Sequence, residues 1–435
     1  MKRRRFLGIG AAATSAVLMP CVAWSGADPL PILTHWYKLV LQLVRHTATY
    51  SPPVAARAFG YLGVTAYEAV AACDADMTSL AGQLNDLTAL PRPGSGGHDA
   101  AAVLHAALRT AVAHFFSNTG PSGQRALAAM TRKLDDTVNA GLATDVAVRS
   151  AHLGEAVARH IIDWSATDGG AVVENMGFPM SYTPQADPAA WVPTSLVRQQ
   201  QAPLLPDWGQ NRPFAMQKGG SCALPPPPPY SEDPASDFHA EAMEVYTVTK
   251  TLTDQQMLIA RFWSDDPMLS PTPPGHWVSL TADLIVQRNL PLTVSVDVMA
   301  RLGIAMADAF IGCWHSKSQY NLLRPVTYIH RVIDKTWQPA LITPPFAEYP
   351  SGHSTQSGAA ATVLTAIFGD NVAFEDATHV REGLPVRAFD SFWDAAEEAG
   401  ISRLYGGIHF RSAIEQGLEQ GRCVGAYAVA LRTLS

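Results

Sequence analysis

Residues 348–368 read EYPSGHSTQSGAAATVLTAIF. Pro350 and Gly352 mark a turn, Ser351 and Ser354 are helix-capping types, and the apolar run 358–368 that follows is a buried helix. A helix therefore starts between Ser351 and Ser354. The first N–H groups of a helix have no internal partner and favour an anion. Ser351 can donate one more hydrogen bond, and Gly352 lets the backbone approach a ligand closely. An ordinary cap is the alternative reading of this start.

Outward from this stretch the same helical periodicity recurs. Apolar residues spaced by three and four predict helices over 237–250, 253–264, 276–289, 292–317, 353–368, 388–400 and 412–433. Residues 35–165 are alanine-rich and helical in pattern, with Leu39, Leu43, Val103, Leu104, Leu108, Val112, Phe115 and Phe116 on apolar faces and a Pro/Gly loop at 91–97. Between these halves, residues 168–235 are rich in Gly, Pro, Gln and Trp and contain five consecutive prolines, Pro225 to Pro229, which suit neither a helix nor a central strand. Trp191, Trp208 and Phe214 argue for a packed, ordered excursion with short hairpins; a flexible linker is the alternative. The chain thus reads as all-α: an export segment at 1–27, a helical bundle at 28–165, a Pro/Gly-rich excursion at 166–236 and a second bundle at 237–435, each half like a four-helix bundle.

The composition narrows the function. In 435 residues, 31 Lys+Arg stand against 38 Asp+Glu, a net charge of −7. Removing residues 1–27 takes away Lys2, Arg3, Arg4 and Arg5 and no acid, which leaves −11. Nucleic-acid binding by counterion release does not suit that balance. Beyond residue 27 no uncharged apolar run of about 18 residues occurs, so no stable membrane insertion is expected after cleavage. The first segment, MKRRRFLGIGAAATSAVLMPCVAWSGA, has a basic head, an apolar stretch and small residues at its end. It resembles a twin-arginine export signal, which implies a periplasmic or secreted protein. Of the five cysteines, Cys73, Cys222, Cys313 and Cys423 follow this segment, without metal-binding spacing. They allow three disulfide connectivities; buried thiols are the alternative.

Three blocks of the C-terminal half carry chemistry. Lys317 and Arg324 are seven apart, two turns on one helical face, and Pro325 is expected to end that helix. The second block is 348–355. In the third, Arg403 and His409 flank Gly406-Gly407, a break that lets both side chains turn to one point. Each block alone has an ordinary structural explanation. Together they offer two guanidiniums, an ammonium, a hydroxyl, a helix start and two imidazoles, a set suited to a tetrahedral or five-coordinate oxyanion. No HExxH occurs, and no GxGxxG outside the first segment, so zinc and nicotinamide sites have no support.

Lys317-x6-Arg324-Pro325, then Pro350-Ser351-Gly352-His353, then Ser402-Arg403-x5-His409 resembles the signature of vanadium-dependent haloperoxidases, chloroperoxidase-like, and of the wider type 2 phosphatidic acid phosphatase superfamily. The resemblance implies a vanadate cofactor, with phosphate able to occupy the same site. It implies that Lys317, Arg324 and Arg403 neutralise the oxyanion, that Ser351 and the Gly352 N–H bond to it, that His409 bonds the metal, and that His353 is the acid–base group. Hydrogen peroxide, a halide and a small organic acceptor would be the reactants, and a homodimer is the family expectation. Trp314 and Phe346 match aromatic positions on the halide side; plain core residues are the alternative. Asp266 resembles the acid that pairs with Arg403, with Asp265 as the alternative partner. Ala413 departs from the pattern, because many members carry there an acid that orients the axial histidine; a backbone carbonyl or Glu415 would have to replace it. Two other functions fit the same residues. One is a soluble acid phosphatase with His409 as nucleophile and His353 as general acid; the other is an oxyanion-binding protein without turnover.

Overall fold

The computed structural model describes residues 27–434. Residues 1–27, read above as an export signal, lie outside the described residues except for the last position. Five helices come first: α1 (Pro29–Arg45), α2 (Pro52–Ala71), α3 (Ala100–Phe115), α4 (Pro121–Asn139) and α5 (Thr144–Ser165). After the excursion follow α6 (Asp237–Lys250), α7 (Asp254–Phe262), α8 (Thr272–Gln287), α9 (Leu292–Tyr320), α10 (Pro325–Val332), α11 (Gly352–Phe368), α12 (Phe392–Tyr405) and α13 (Arg411–Val429). The protein is all-α, as the periodicity predicts. Among the described residues no helix is long and apolar enough to cross a membrane.

Long α9 is buried along most of its length and packs on α2, α11 and α13. It therefore joins the early helices to those that carry the three blocks, and one contiguous apolar core runs through both sets. The closest crossings are made by glycines. A side chain at Gly63 would meet the Met299 carbonyl at 2.8 Å, and one at Gly421 would meet the Thr355 carbonyl at 2.2 Å. These contacts let α2 lie against α9, and α13 against α11, at backbone distance.

Four details differ from the sequence expectations. First, α9 ends at Tyr320, where Asn321 turns left-handed (φ 41°), a conformation Asn tolerates. Pro325 does not end a helix but opens α10 from its first position, where its missing N–H costs nothing. Second, residues 387–389 form strand β2 (Arg387–Phe389), paired antiparallel with β1 (Phe374–Asp376) in the register Phe374↔Phe389, so α12 starts only at Phe392. Phe374 and Phe389 bury one face of this pair, and Ser391 then caps α12 through the Asp394 N–H. Third, α13 stops at Val429, short of 433. Fourth, the 168–235 excursion contains no hairpin among its described residues; it makes short 3-10 turns and one isolated bridge, Ala190 to Leu322.

The excursion is packed, as its aromatics require. Trp191, Trp208 and Phe214 are buried. The buried carboxylate of Asp308 on α9 accepts the N–H groups of Phe214, Ala215 and Met216 at 2.6, 2.8 and 2.9 Å. Cys222 is joined to Cys423 of α13 by a disulfide, whereas Cys313 is a buried free thiol.

Candidate active site

The three blocks converge. Lys317 lies in the last turn of α9, Arg324 at the extended N-cap of α10, Ser351 at the N-cap of α11, and Arg403 in the last turn of α12. Gly406 and Gly407 (φ 75°) then turn the chain so that His409 points back from the segment before α13. Lys317, Arg324, Ser351, Arg403 and His409 are all at most 4% exposed; His353, at the start of α11, keeps a solvent-facing edge.

Polar contacts define the geometry. Arg324 Nη1 donates to the Ile408 carbonyl at 2.8 Å and lies 3.0 Å from His409 Nε2, while its Nε donates to the Phe346 carbonyl. Arg324 Nη2 is buried with no hydrogen-bond partner. Arg403 holds Ser402 Oγ and the Ala260 carbonyl, and its Nη1 stands 3.5 Å from His353 Nε2. Lys317 gives all three protons to the carbonyls of Ala347, Glu348 and Pro350, so it lends its charge to the centre while fixing the turn before Ser351. Ser351 Oγ accepts the Ser354 N–H at 3.2 Å, which leaves its own proton to donate, and the Gly352 N–H is the first of α11. A side chain at Gly352 would make only ordinary contacts, with Phe310, Trp314 and Cys313, so packing does not demand glycine there.

The residue that sequence reading missed is Glu348. It is fully buried, and its Oε1 accepts both His409 Nδ1–H, at 2.9 Å, and the Phe410 N–H, at 2.8 Å. It occupies the role left open by Ala413. Glu415 lies elsewhere, exposed and beside Arg411. The available signal was Glu348 itself, the acid that opens the second block. The contact leaves the Nε2 lone pair of His409 facing the cations.

Burial shifts every titrating group. It pulls Lys317 down to about 8, and Arg324 and Arg403 to about 10. It pushes Glu348 up to about 8, against the pull of Arg324, the Phe410 N–H and Lys317. His353 and His409 are held well below the usual imidazole range, first by burial and then by the neighbouring guanidiniums, so both are neutral bases. Three buried cations beside one carboxylate, with a guanidinium nitrogen left unpartnered, call for an anion. Tetrahedral vanadate or phosphate fits that donor set.

Trp314 and Phe346 lie on one side of the cage, their rings 5.0 Å apart. Lys317 Nζ is 5.2 Å and Arg324 Cζ 4.9 Å from the Phe346 ring. With Tyr182, Leu204 and Lys317 the two rings line a cleft of about 180 Å³, and Trp314 Nε1 donates to the Leu204 carbonyl. Asp266 makes no contact ion pair with Arg403 among the described residues, and neither does Asp265. Both act on it at longer range, because the Asp265 side chain is turned to His276 and His379 and Asp266 sits partly exposed.

The model of the VCPO second helical-bundle domain matches residues 297–434, which hold all three blocks. A solved bacterial vanadium-dependent iodoperoxidase superposes with a TM-score of 0.84 at 37% identity, over 94% of this chain and 98% of that one. Holo and apo structures of bacterial vanadium-dependent chloroperoxidase share the fold at TM-scores of 0.67 and 0.65, with 14% and 15% identity. They cover 96% and 86% of this chain, and 95% and 92% of their own. Among curated proteins none matches the chain.

Proposed function

Because the chain belongs to the vanadium-dependent haloperoxidase family, we propose that it uses vanadate to oxidise halide with hydrogen peroxide, yielding a hypohalous-acid equivalent that halogenates a small organic acceptor. The observation that carries this reading is the buried cage: Arg324 with an unpartnered nitrogen, beside a neutral His409 whose Nδ1 proton is fixed on Glu348. Lys317, Arg324 and Arg403 balance the charge of the bound oxyanion. The Ser351 hydroxyl and Gly352 N–H would donate to it, and His409 Nε2 would ligate the metal. Vanadate, when bound, supplies a Lewis acid that polarises peroxide toward attack by halide. His353, neutral and reaching solvent, accepts a proton from incoming peroxide at Nε2 and returns it to the product. Arg403, 3.5 Å from that atom, disfavours a lasting imidazolium.

Iodide is the halide we expect to be oxidised most readily, since the relative at 37% identity is an iodoperoxidase. The test is peroxide-driven oxidation of iodide, bromide and chloride, and halogenation of an activated diketone, with and without vanadate. Lack of activity with all three halides in the vanadate-loaded protein would reject the reading.

The Glu348–His409 contact also favours a second activity. With its nucleophilic nitrogen oriented by an acid, the vanadate-free cage is equipped to hydrolyse a phosphate monoester, His353 protonating the leaving group. Aryl-phosphate turnover that vanadate inhibits and His409→Ala abolishes would support it. Binding without turnover loses its motive, because Glu348 supplies the acid that Ala413 lacks. Export by the twin-arginine route remains our reading of residues 1–27, and the Cys222–Cys423 disulfide supports an oxidising destination. Cell fractionation with Arg3 and Arg4 replaced by Lys checks it. A homodimer in solution is the family expectation, to be measured by light scattering.

A further inference from the structure

Next to the cage lies a second buried cluster that the chemistry above does not use. Asp265, His276, Asp376 and His379 are 0–5% exposed. His276 Nδ1 bonds to Asp265 at 3.0 Å and its Nε2 to Asp376 at 2.7 Å, while His379 Nε2 bonds to Asp265 at 3.1 Å. The Trp263 ring stacks on His276, centroids 4.5 Å apart. Burial works against a charge on His276, but the two aspartates outweigh it and hold the imidazole up at about 10. Asp265, His276 and His379 could also be read as ligands of a cation. However, both nitrogens of His276 are already spent on carboxylates, so the cluster is satisfied by its own protons.

The backbone shows what the cluster restrains. Asp265 (φ 48°) and Met268 (φ 71°) in the short loop before α8, and Thr272 (φ 67°) at that helix's first position, are left-handed non-glycine residues. Such conformations persist where the surroundings over-determine them, and they gather at functional sites. Immediately before this loop, the Ala260 carbonyl accepts Arg403 Nη2 at 3.3 Å, and the Trp263 backbone lies near enough to the His353 ring to favour its protonated form. Trp263 Nε1 donates to Glu398 of α12, which Arg387 of β2 also grips. Two site side chains from two different helices therefore rest on residues 260–263, and Asp265 fixes where that segment turns.

We propose that Asp265, His276, Asp376 and His379 form a positioning clamp, which holds the 260–265 backbone so that it aims Arg403 and His353 into the cage. The proposal rests on the reading of the cage as a vanadate site. These are positioning residues; none of them touches the reacting atoms.

The test compares His276→Gln, His379→Gln, Asp265→Asn and Asp265→Ala with the wild type in the full chain. Vanadate affinity is measured by calorimetry without peroxide or halide, kcat and KM at saturating vanadate, and melting temperature separately. We expect each histidine variant to weaken vanadate binding by about 10–100-fold, the range for outer-shell partners, and to lower kcat with little change in KM for halide. Asn tolerates the left-handed conformation and still accepts from His276, so Asp265→Asn keeps about ten times the kcat of Asp265→Ala. Variants that melt earlier yet bind vanadate and turn over like the wild type would overturn the clamp. So would equal losses in Asp265→Asn and Asp265→Ala, which would point to charge instead of conformation. Stoichiometric zinc in the purified wild type, absent from His276→Gln, would replace the clamp by a metal site. Should the histidine variants fail to fold, the Asp265 pair decides. A wild type that binds vanadate or phosphate but oxidises no halide would refute the haloperoxidase reading, while the affinity comparison still judges the clamp.

Discussion

His409 shows how a missing residue can be replaced from elsewhere in the chain. Its imidazole must present an unprotonated Nε2, which requires an acceptor at Nδ1, and Glu348 supplies one from 61 residues away in sequence. Glu348→Ala is therefore expected to weaken vanadate binding by about 10–100-fold without unfolding the protein, as calorimetry on the variant will show. The same centre sets a pH dependence. Lys317, lowered to about 8, is cationic below that pH and neutral above it; Glu348, raised to about 8, is neutral below and anionic above. Both changes remove attraction for an anion as pH rises. Affinity should thus be highest below about pH 8 and fall above it, by up to about tenfold per unit for each of the two groups, read from binding isotherms at pH 7 and 9. At this scale the three blocks were legible, because their residue types and local spacing are written along the chain. Glu348 as a partner was not, since a contact over that separation leaves no periodic trace. Nor was the spending of all three Lys317 protons on carbonyls.

Among the elements, the α11–α13 crossing places the second block. Gly417, Gly421 and Gly425 recur every fourth residue and form a side-chain-free strip on α13. A Cβ at Gly417 would lie 2.9 Å from the Ser351 carbonyl, and one at Gly421 2.2 Å from that of Thr355. Gly421→Ala should cost roughly 1–3 kcal/mol, the range for overpacking a tight contact, visible as a lower urea midpoint at unchanged slope. Helix identities followed from apolar periodicity, and α6 matches its predicted span, 237–250, at both ends. Boundaries failed where local chemistry competes with that pattern. Asn321 stops α9 before Arg324, Pro325 starts a helix it was expected to end, and the pairing of buried Phe374 with Phe389 draws residues 387–389 into a strand.

For the molecule as a whole, the excursion between the helical sets is the feature least readable from sequence. Trp191, Trp208 and Phe214 announced that it packs, yet its path is fixed by Asp308 and by a disulfide to α13, neither of which has a sequence signature. Because Cys222 and Cys423 are 201 residues apart, their bond restricts the unfolded chain strongly. Cys222→Ser should lower stability by roughly 2–5 kcal/mol, measurable as a drop in melting temperature, and reductant should lower that of the wild type as well. The excursion also brings Tyr182 and Leu204 over the rings of Trp314 and Phe346. Floor and rim of that opening therefore have separate origins, the one in α9 and the segment before α11, the other in the excursion. Substitutions at Tyr182 or Leu204 are thus expected to change which molecules are admitted while the cage beneath keeps its own residues.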